Sequence, residues 1–537
     1  MPRWQDLKSI SLKTWLILLA LPCINLIAVA ILRDHAGPFW MWSNLDPDYF
    51  YVFDSLNIAN LDWPVAIHHP GTPLQVLGAL ILKISHPLSS PEQLTEFVLK
   101  NPEHYLGLIH LCLVIINTAA LIFAGVCAYL AFGDRLAVVF VQLGPFISKL
   151  SIKWMTHVAP EALLISVVLV LSGIALLAIR QGQLNEHRKR YAVLFGVIAG
   201  FGMATKITSI GIYFLPVFIL WNFRSLAIYG GSAALAILVF TLPAAGSYGD
   251  IIAHINNISV GSTEIGVVKK SFIDFTQYPS ELIRVSSRPA FFMVLLAGLI
   301  TIGYLAIRSK THEKEFPIAG KLLAGLCMAD IVQALIVAKH PSGHYMIPVL
   351  TLSTLGMALL YRVWLDQRQS GGSNGRYLQV FFSLLFVGLV GAQTSAGLKL
   401  DRQFKERVII AAQVDDTRFD KCARIYFWSA AAPSYALQLG NDMVRNKFSE
   451  KLDQLRPAND FWFEVARKEF RDWKGIRDVK DMVSPYPCIF ARGLYPALIE
   501  PSLRALLPSR RFETQCSLPS GHETIFTSGV DCAGKLQ

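Results

Sequence analysis

The chain of 537 residues is 53% hydrophobic and 16% charged, with a formal net charge of +11. That balance belongs to the membrane class and excludes a set of ordinary soluble domains. It also excludes a nucleic-acid stripe, because the cations fall in short clusters between apolar runs, such as Arg188, Lys189, Arg190 and Arg308, Lys310, Lys314, which is a topology signal.

The first apolar run, Trp15 to Leu32, follows Arg3, Lys8 and Lys13 like a signal peptide. It is long and lacks a small-residue cleavage site, so it reads as a retained span. Next comes Asn44-Leu45-Asp46-Pro47-Asp48-Tyr49-Phe50-Tyr51. A carboxylate fixed at the rim of a helical bundle can act as general base toward an acceptor hydroxyl, or can ligate a divalent cation such as Mg or Mn. Asp48 is the candidate base, walled by the aromatic rings that follow it, and Asp46 its supporting carboxylate or a metal ligand. The plainer alternative is an Asp pair capping the next helix.

His68-His69-Pro70-Gly71-Thr72-Pro73-Leu74-Gln75 then opens an apolar run at 73–84. Thr72 and Gln75 fit a capping box, and a helix start beside His68 and His69 could hold a phosphate. The alternative is an ordinary interfacial turn. The run is short and carries Lys83, so it is expected to lie flat on the outer surface. That choice puts Arg188, Arg308 and their neighbours on the inside, as the positive-inside rule requires.

Further spans are expected near 106–131, 135–150, 158–180, 191–206, 208–223, 225–243, 289–307, 318–338, 344–363 and 377–397, about 11 in all with the first. Glu161, after Pro160, and Lys206 sit near the external side; ionisable residues at membrane depth usually face a cavity. Helix-dipole stabilisation and snorkelling are their plainer readings. In the external loop, Lys269, Lys270, Arg284 and Arg288 would meet anionic headgroups. Lys339-His340-Pro341-Ser342-Gly343-His344-Tyr345 gathers a cation, two imidazoles and a phenol at a span entrance, which suits a phosphate leaving group or, more plainly, an interfacial anchor.

After about residue 397 the chain becomes polar. A strand-like Ala423 to Trp428, a helix-like Ser434 to Asn446 and the turn Ser484-Pro485-Tyr486-Pro487 predict a small soluble α/β domain. Four of the eight cysteines, Cys422, Cys488, Cys516 and Cys532, lie in this tail, which suggests disulfides in an oxidising compartment, unless all four are free thiols. Cys516 and Cys532 close a short loop and are the expected pair.

Together, a first external loop with an Asp motif, a His-Pro-Gly segment opening a flat helix and a late basic-aromatic motif before a proline resemble the C-type membrane glycosyltransferases. Within them the chain is similar to the protein O-mannosyltransferase and aminoarabinose transferase branch, over roughly residues 10–400. The resemblance implies a polyprenyl-phosphate sugar donor, a glycan, lipid or protein acceptor attacked outside the cytoplasm, and Asp48 or Asp46 as base. The candidate donor-phosphate contacts read from the residues are His68, His69, Lys206, Lys339, His340, His344 and Tyr345, with Glu161 as a further cavity residue. The His-Pro-Gly segment departs from the Lys-Pro or His-Pro-Pro forms of the branch, and His344-Tyr345 stands where arginine-tyrosine is expected.

The expected architecture is thus an α-helical polytopic membrane module at 1–397, whose external loop spans 34–105, followed by a soluble α/β domain at 398–537. A bacterial inner membrane with a cytoplasmic N-terminus and a periplasmic tail fits this arrangement, with membrane lipids and no nucleic acid as partners. A lipid-linked glycan transporter or flippase, a glycan polymerase or ligase, and a non-catalytic assembly subunit are the competing readings. No internal repeat of the kind common in transporters is visible.

Overall fold

The computed structural model describes all residues except 1–7, 9, 42–47, 68–70, 261, 265–266, 270–272, 274, 312, 314, 340, 371–374, 428–429, 465–468, 495, 518–522 and 533–537. Asp46, His68, His69 and His340 therefore lie outside the described residues. The chain packs as two compact units, one of residues 1–31, 67–76 and 110–400 and the other of residues 32–66, 77–109 and 401–537.

A helix of about 20 apolar residues covers a hydrocarbon layer of about 30 Å. Among the described residues, eight helices have that length and composition: Leu12–His35, Pro102–Phe132, Pro160–Ile179, Phe223–Asn256, Pro289–Thr311, Ile318–Lys339, Gly343–Arg368 and Arg376–Phe419. Three shorter apolar segments are shaped differently. The 135–150 run breaks into the Arg135–Gln142 helix, a 3-10 turn at Gly144–Phe146 and the Lys149–Trp154 helix, because Pro145 cannot continue a ladder. The 191–206 run is the apolar end of the Gln183–Thr205 helix, which is kinked at His187. The 208–223 run forms 3-10 turns over Ile207–Phe214 and then meets Pro216.

In the first unit, the Pro160–Ile179 helix is apolar all round and 94% of its spanning window is buried, so it forms the centre. The Gln183–Thr205 and Ile347–Ser370 helices pack on it. By contrast only 22% of the Phe223–Asn256 window is buried, and Leu235, Leu238 and Val239 face outward as a lipid-facing surface would. Gln333 secures the irregular 207–214 stretch: its amide nitrogen donates to the Thr208 (2.7 Å) and Tyr345 (3.1 Å) carbonyls, and its oxygen accepts from the Gly211 N–H (3.1 Å). Non-helical backbone at membrane depth needs such partners.

The second unit is built on a seven-stranded sheet. Its strands are β3 (Cys422–Tyr426), β4 (Asp460–Glu464), β5 (Glu469–Asp472), β6 (Gly475–Arg477), β7 (Cys488–Gly493), β8 (Glu513–Ser517) and β9 (Thr524–Ser528). A separate hairpin of β1 (Ser262–Glu264) and β2 (Val267–Lys269) belongs to the first unit. The sheet order is β6-β5-β4-β3-β7-β9-β8, with β3 parallel to both β4 and β7 and every other pairing antiparallel. Alternation splits its faces. Ala423, Ile425, Phe461, Ile489 and Ala491 form an apolar core with Met482, Ile499 and Leu503 of the covering helices.

The opposite face buries charge. Arg424 pairs with Asp460 (2.6 Å) and Asp420 (2.7 Å), while Arg492 donates to Glu523 and Asp416 (2.7 Å each). This is the small α/β domain predicted from the tail. Cys422 and Cys488, opposite each other on β3 and β7, are joined in a disulfide. Cys532 is disulfide-bonded as well, and the side chain of its expected partner Cys516 lies outside the described residues.

One local expectation is corrected. The capping box at Thr72 and Gln75 does not form, because the helix already begins at Thr72, with Gly71 at φ +70° before it. The Leu74 and Gln75 N–H groups bond the Gly71 carbonyl, and Thr72 Oγ1 is buried without a hydrogen-bond partner among the described residues. A true capping box sits instead at Ser90 and Gln93.

Candidate functional site

In the first unit, Glu161 stands in the first turn of the Pro160–Ile179 helix and Lys206 follows the last turn of the Gln183–Thr205 helix. Only 2% of Glu161 and 4% of Lys206 is exposed, so neither snorkels to solvent, and they form a direct ion pair. His344 Nε2 lies 3.5 Å from the same Glu161 oxygen, and its Nδ1 lies 2.9 Å from Ser342 Oγ. The Lys206 ammonium sits 4.8 Å from the centroid of the Tyr345 ring, and Trp154 packs against His344 with centroids 5.0 Å apart. Glu161, Lys206, His344 and Tyr345, more than 180 residues apart at the extremes, are therefore one buried cluster. Lys339 is the last residue of the helix that leads into this turn.

Two arginines converge on the same turn. Arg284 donates to the Pro341 carbonyl (3.1 Å) and pairs with Glu281. Four residues on, the Arg288 guanidinium lies 3.0 Å from where a Gly343 side chain would begin, and its Nε is buried with no hydrogen-bond partner among the described residues. Burial and the charge of Arg284 push the Arg288 guanidinium below the usual arginine range. The spacing of the two arginines, four residues apart around a helix end, was the available signal for this pair. A headgroup contact is the simplest reading of that signal in isolation.

The other unit holds Asp48. It is 2% exposed and directly precedes the Tyr49–Ala59 helix, but its side chain makes no capping hydrogen bond, so the capping alternative does not describe it. Arg33 is within electrostatic reach of both Asp48 and Glu103. Tyr49, Phe50 and Tyr51, which follow Asp48, are all buried. Glu103 accepts the backbone N–H groups of Phe39 (2.7 Å) and Trp40 (3.1 Å) and the Tyr49 hydroxyl (2.7 Å). It thereby ties together the two chain segments that flank residues 42–47. Burial, reinforced by the Glu103 charge, pushes the Tyr49 phenol well above its usual value, so this hydroxyl is a fixed donor.

A second unforeseen carboxylate, Asp54, is fully buried and accepts the N–H groups of Val65 and Ala66 (2.8 Å each) and the Asn57 amide (3.1 Å). Among the described residues no group of three His, Cys, Asp or Glu side chains is placed to hold a metal ion. Asp46, the proposed partner of Asp48 in such a site, is outside them.

No family model matches the sequence, and no curated protein matches it. Two solved structures are similar to the chain. One is ArnT from Cupriavidus metallidurans bound to undecaprenyl phosphate, with a TM-score of 0.45, 12% identity, and coverage of 98% of this chain and 100% of that one. The other is the Archaeoglobus fulgidus oligosaccharyltransferase in complex with zinc and sulfate, with a TM-score of 0.35 and 14% identity, where 78% of this chain spans 57% of that one.

Proposed function

We propose that the chain is a C-type membrane glycosyltransferase that moves a sugar from a polyprenyl-phosphate donor to an acceptor hydroxyl on the extracytoplasmic face. The observation that carries this reading is the turn at 341–345, where Lys206, His344, Arg284 and Arg288 converge and Arg288 keeps a buried N–H without a partner among the described residues. As the acceptor oxygen attacks the anomeric carbon, the bond to the donor phosphate breaks and negative charge grows on the departing phosphate. The buried Lys206 ammonium and the half-buried Arg288 guanidinium stabilise that charge, with His344 as a hydrogen-bond donor and the exposed Arg284 adding its charge at the rim. Lys339, His340, His68 and His69 are assigned as further donors around it.

Asp48 is assigned as the base that takes the acceptor proton, with Glu103 and Tyr49 holding the backbone beside it. Asp46 supports it or ligates a divalent cation. The module at 1–397 supplies the chemistry, and the domain at 398–537, with its Cys422–Cys488 disulfide, fits an oxidising periplasm. A bacterial inner membrane with the N-terminus inside is the matching location.

The test is transfer from a polyprenyl-phosphate sugar by the purified protein. Asp48→Asn is expected to lower turnover about 100- to 10,000-fold, the usual effect of losing a general base. Arg288→Gln is expected to weaken donor use roughly 10- to 100-fold, the worth of a charge-assisted hydrogen bond. Near-normal transfer by both variants would overturn the roles given to Asp48 and Arg288, and no transfer by the unaltered protein would favour a transporter or an assembly subunit.

A further inference from the structure

The central Pro160–Ile179 helix has Glu161 at one end, and 18 residues later, about 27 Å along its axis, it ends beside a cavity. That distance is close to the thickness of a hydrocarbon layer, so cavity and cluster belong to opposite membrane faces. The cavity, of about 640 Å³, lies between the end of the Pro160–Ile179 helix, the starts of the Gln183–Thr205 and Ile318–Lys339 helices and the 218–221 segment, and is lined by Arg180, Arg188, Lys321, Glu315, Phe218 and Trp221. Gly182, at φ +78°, makes the tight reversal that carries the chain from Arg180 into the helix bearing Arg188.

Three cations face one carboxylate here. Lys321 and Glu315 are 3.3 Å apart, but the Glu315 side chain is 90% exposed, and an exposed pair of this kind contributes little and is easily exchanged. The rings of Phe218 and Trp221 stack with centroids 5.5 Å apart, and Trp221 is 66% exposed, as expected of an aromatic at a headgroup boundary. Lys189, Arg190, Arg308 and Lys310 lie at the same ends of the spans, which makes this the cytoplasmic side by the positive-inside rule. Basic pockets between helices on that side suit anionic lipid headgroups.

We propose that this cavity binds the phosphate of an anionic phospholipid of the cytoplasmic leaflet. The phosphate's free oxygens accept from Arg180, Arg188 and Lys321, and the acyl chains leave along the Phe218 and Trp221 rings. Nothing in the proposed transfer reaction uses these residues.

The experiment is native mass spectrometry of the full chain in detergent, titrated with phosphatidylglycerol, with phosphatidylcholine and with inorganic phosphate. One phosphatidylglycerol is expected to be retained in preference to phosphatidylcholine. Lys321→Gln and Arg188→Gln should each weaken retention about fivefold. Glu315→Gln should tighten it, a gain that misfolding cannot produce. Equal retention of the two lipids, or retention unchanged in all three variants, would overturn the site. Displacement of the lipid by millimolar inorganic phosphate would overturn the lipid as its ligand.

Discussion

Asparagine in place of Asp54 keeps the shape of the side chain and removes its charge. Burial pushes the Asp54 carboxyl up to about 6 from an ordinary 3.8, against the hydrogen bonds from Val65, Asn57 and Ala66 that favour its ionised form. The folded protein therefore holds this proton more tightly than the unfolded chain does. The stability contributed by the protonated form is complete below about pH 4, falls as pH rises toward 6, and is gone above it. A displacement of that size corresponds to about 3 kcal/mol.

The unfolding midpoint in detergent, followed from pH 4 to pH 7 for both proteins, isolates the effect, because every other titrating group is common to the two. Their difference should change by up to about 3 kcal/mol, mostly between pH 4 and 6. At roughly 2–4 °C per kcal/mol for a body of 150–250 residues, that is readily measured. A pH-independent difference would refute the argument that burial of Asp54 outweighs the hydrogen bonds from Val65, Asn57 and Ala66.

Other perturbations act on single contacts. Replacing Cys422 and Cys488 together by alanine opens a link spanning 66 residues and should cost about 4 kcal/mol in the chain-entropy model; an unchanged denaturant midpoint would remove the disulfide from the account. Arg492→Met strands Glu523 and Asp416 beside the sheet and should destabilise it by about 3–5 kcal/mol, read as lost expression or a lowered midpoint. A side chain at Gly325 would start 2.0 Å from the Leu215 carbonyl oxygen, so Gly325→Ala should cost about 1–3 kcal/mol in thermal unfolding, and a neutral result would mean that the two backbones separate readily.

Composition and apolar run length made the spanning helices legible, and alternation made β3 and the Pro433–Met443 helix legible in the tail. What could not be read were partnerships between distant positions. Glu161 and Lys206 stood out as costly charges near span ends and His344 as part of a basic-aromatic motif, but no period links them, and their convergence depends on how three helices pack. Glu103 looked like any acid in the first turn of a helix, since its true partners lie more than 50 residues upstream. Hydropathy alone joined 135–150 into one span, while the Gly144-Pro145 step broke it. The Cys422–Cys488 link follows from β3 lying next to β7, an adjacency created by a crossover rather than by spacing.

The charge balance around the 341–345 turn bears on how an anion would be received there. Uncompensated charge near a bilayer is costly, and most of these cations already have a counterion: Lys206 has Glu161, and Arg284 has Glu281. An anion arriving at Lys206 must compete with a buried carboxylate that is already in contact, and separating such a pair forfeits its attraction without restoring hydration. Arg288 differs, because its Nε is desolvated and has no acceptor among the described residues, so supplying one removes a standing penalty. On the proposed transfer reaction, first contact with a donor phosphate is therefore better placed at Arg288. Lys206 and His344 would then be recruited only as charge grows on the leaving oxygen and outweighs their hold on Glu161, which is the differential stabilisation that speeds a reaction.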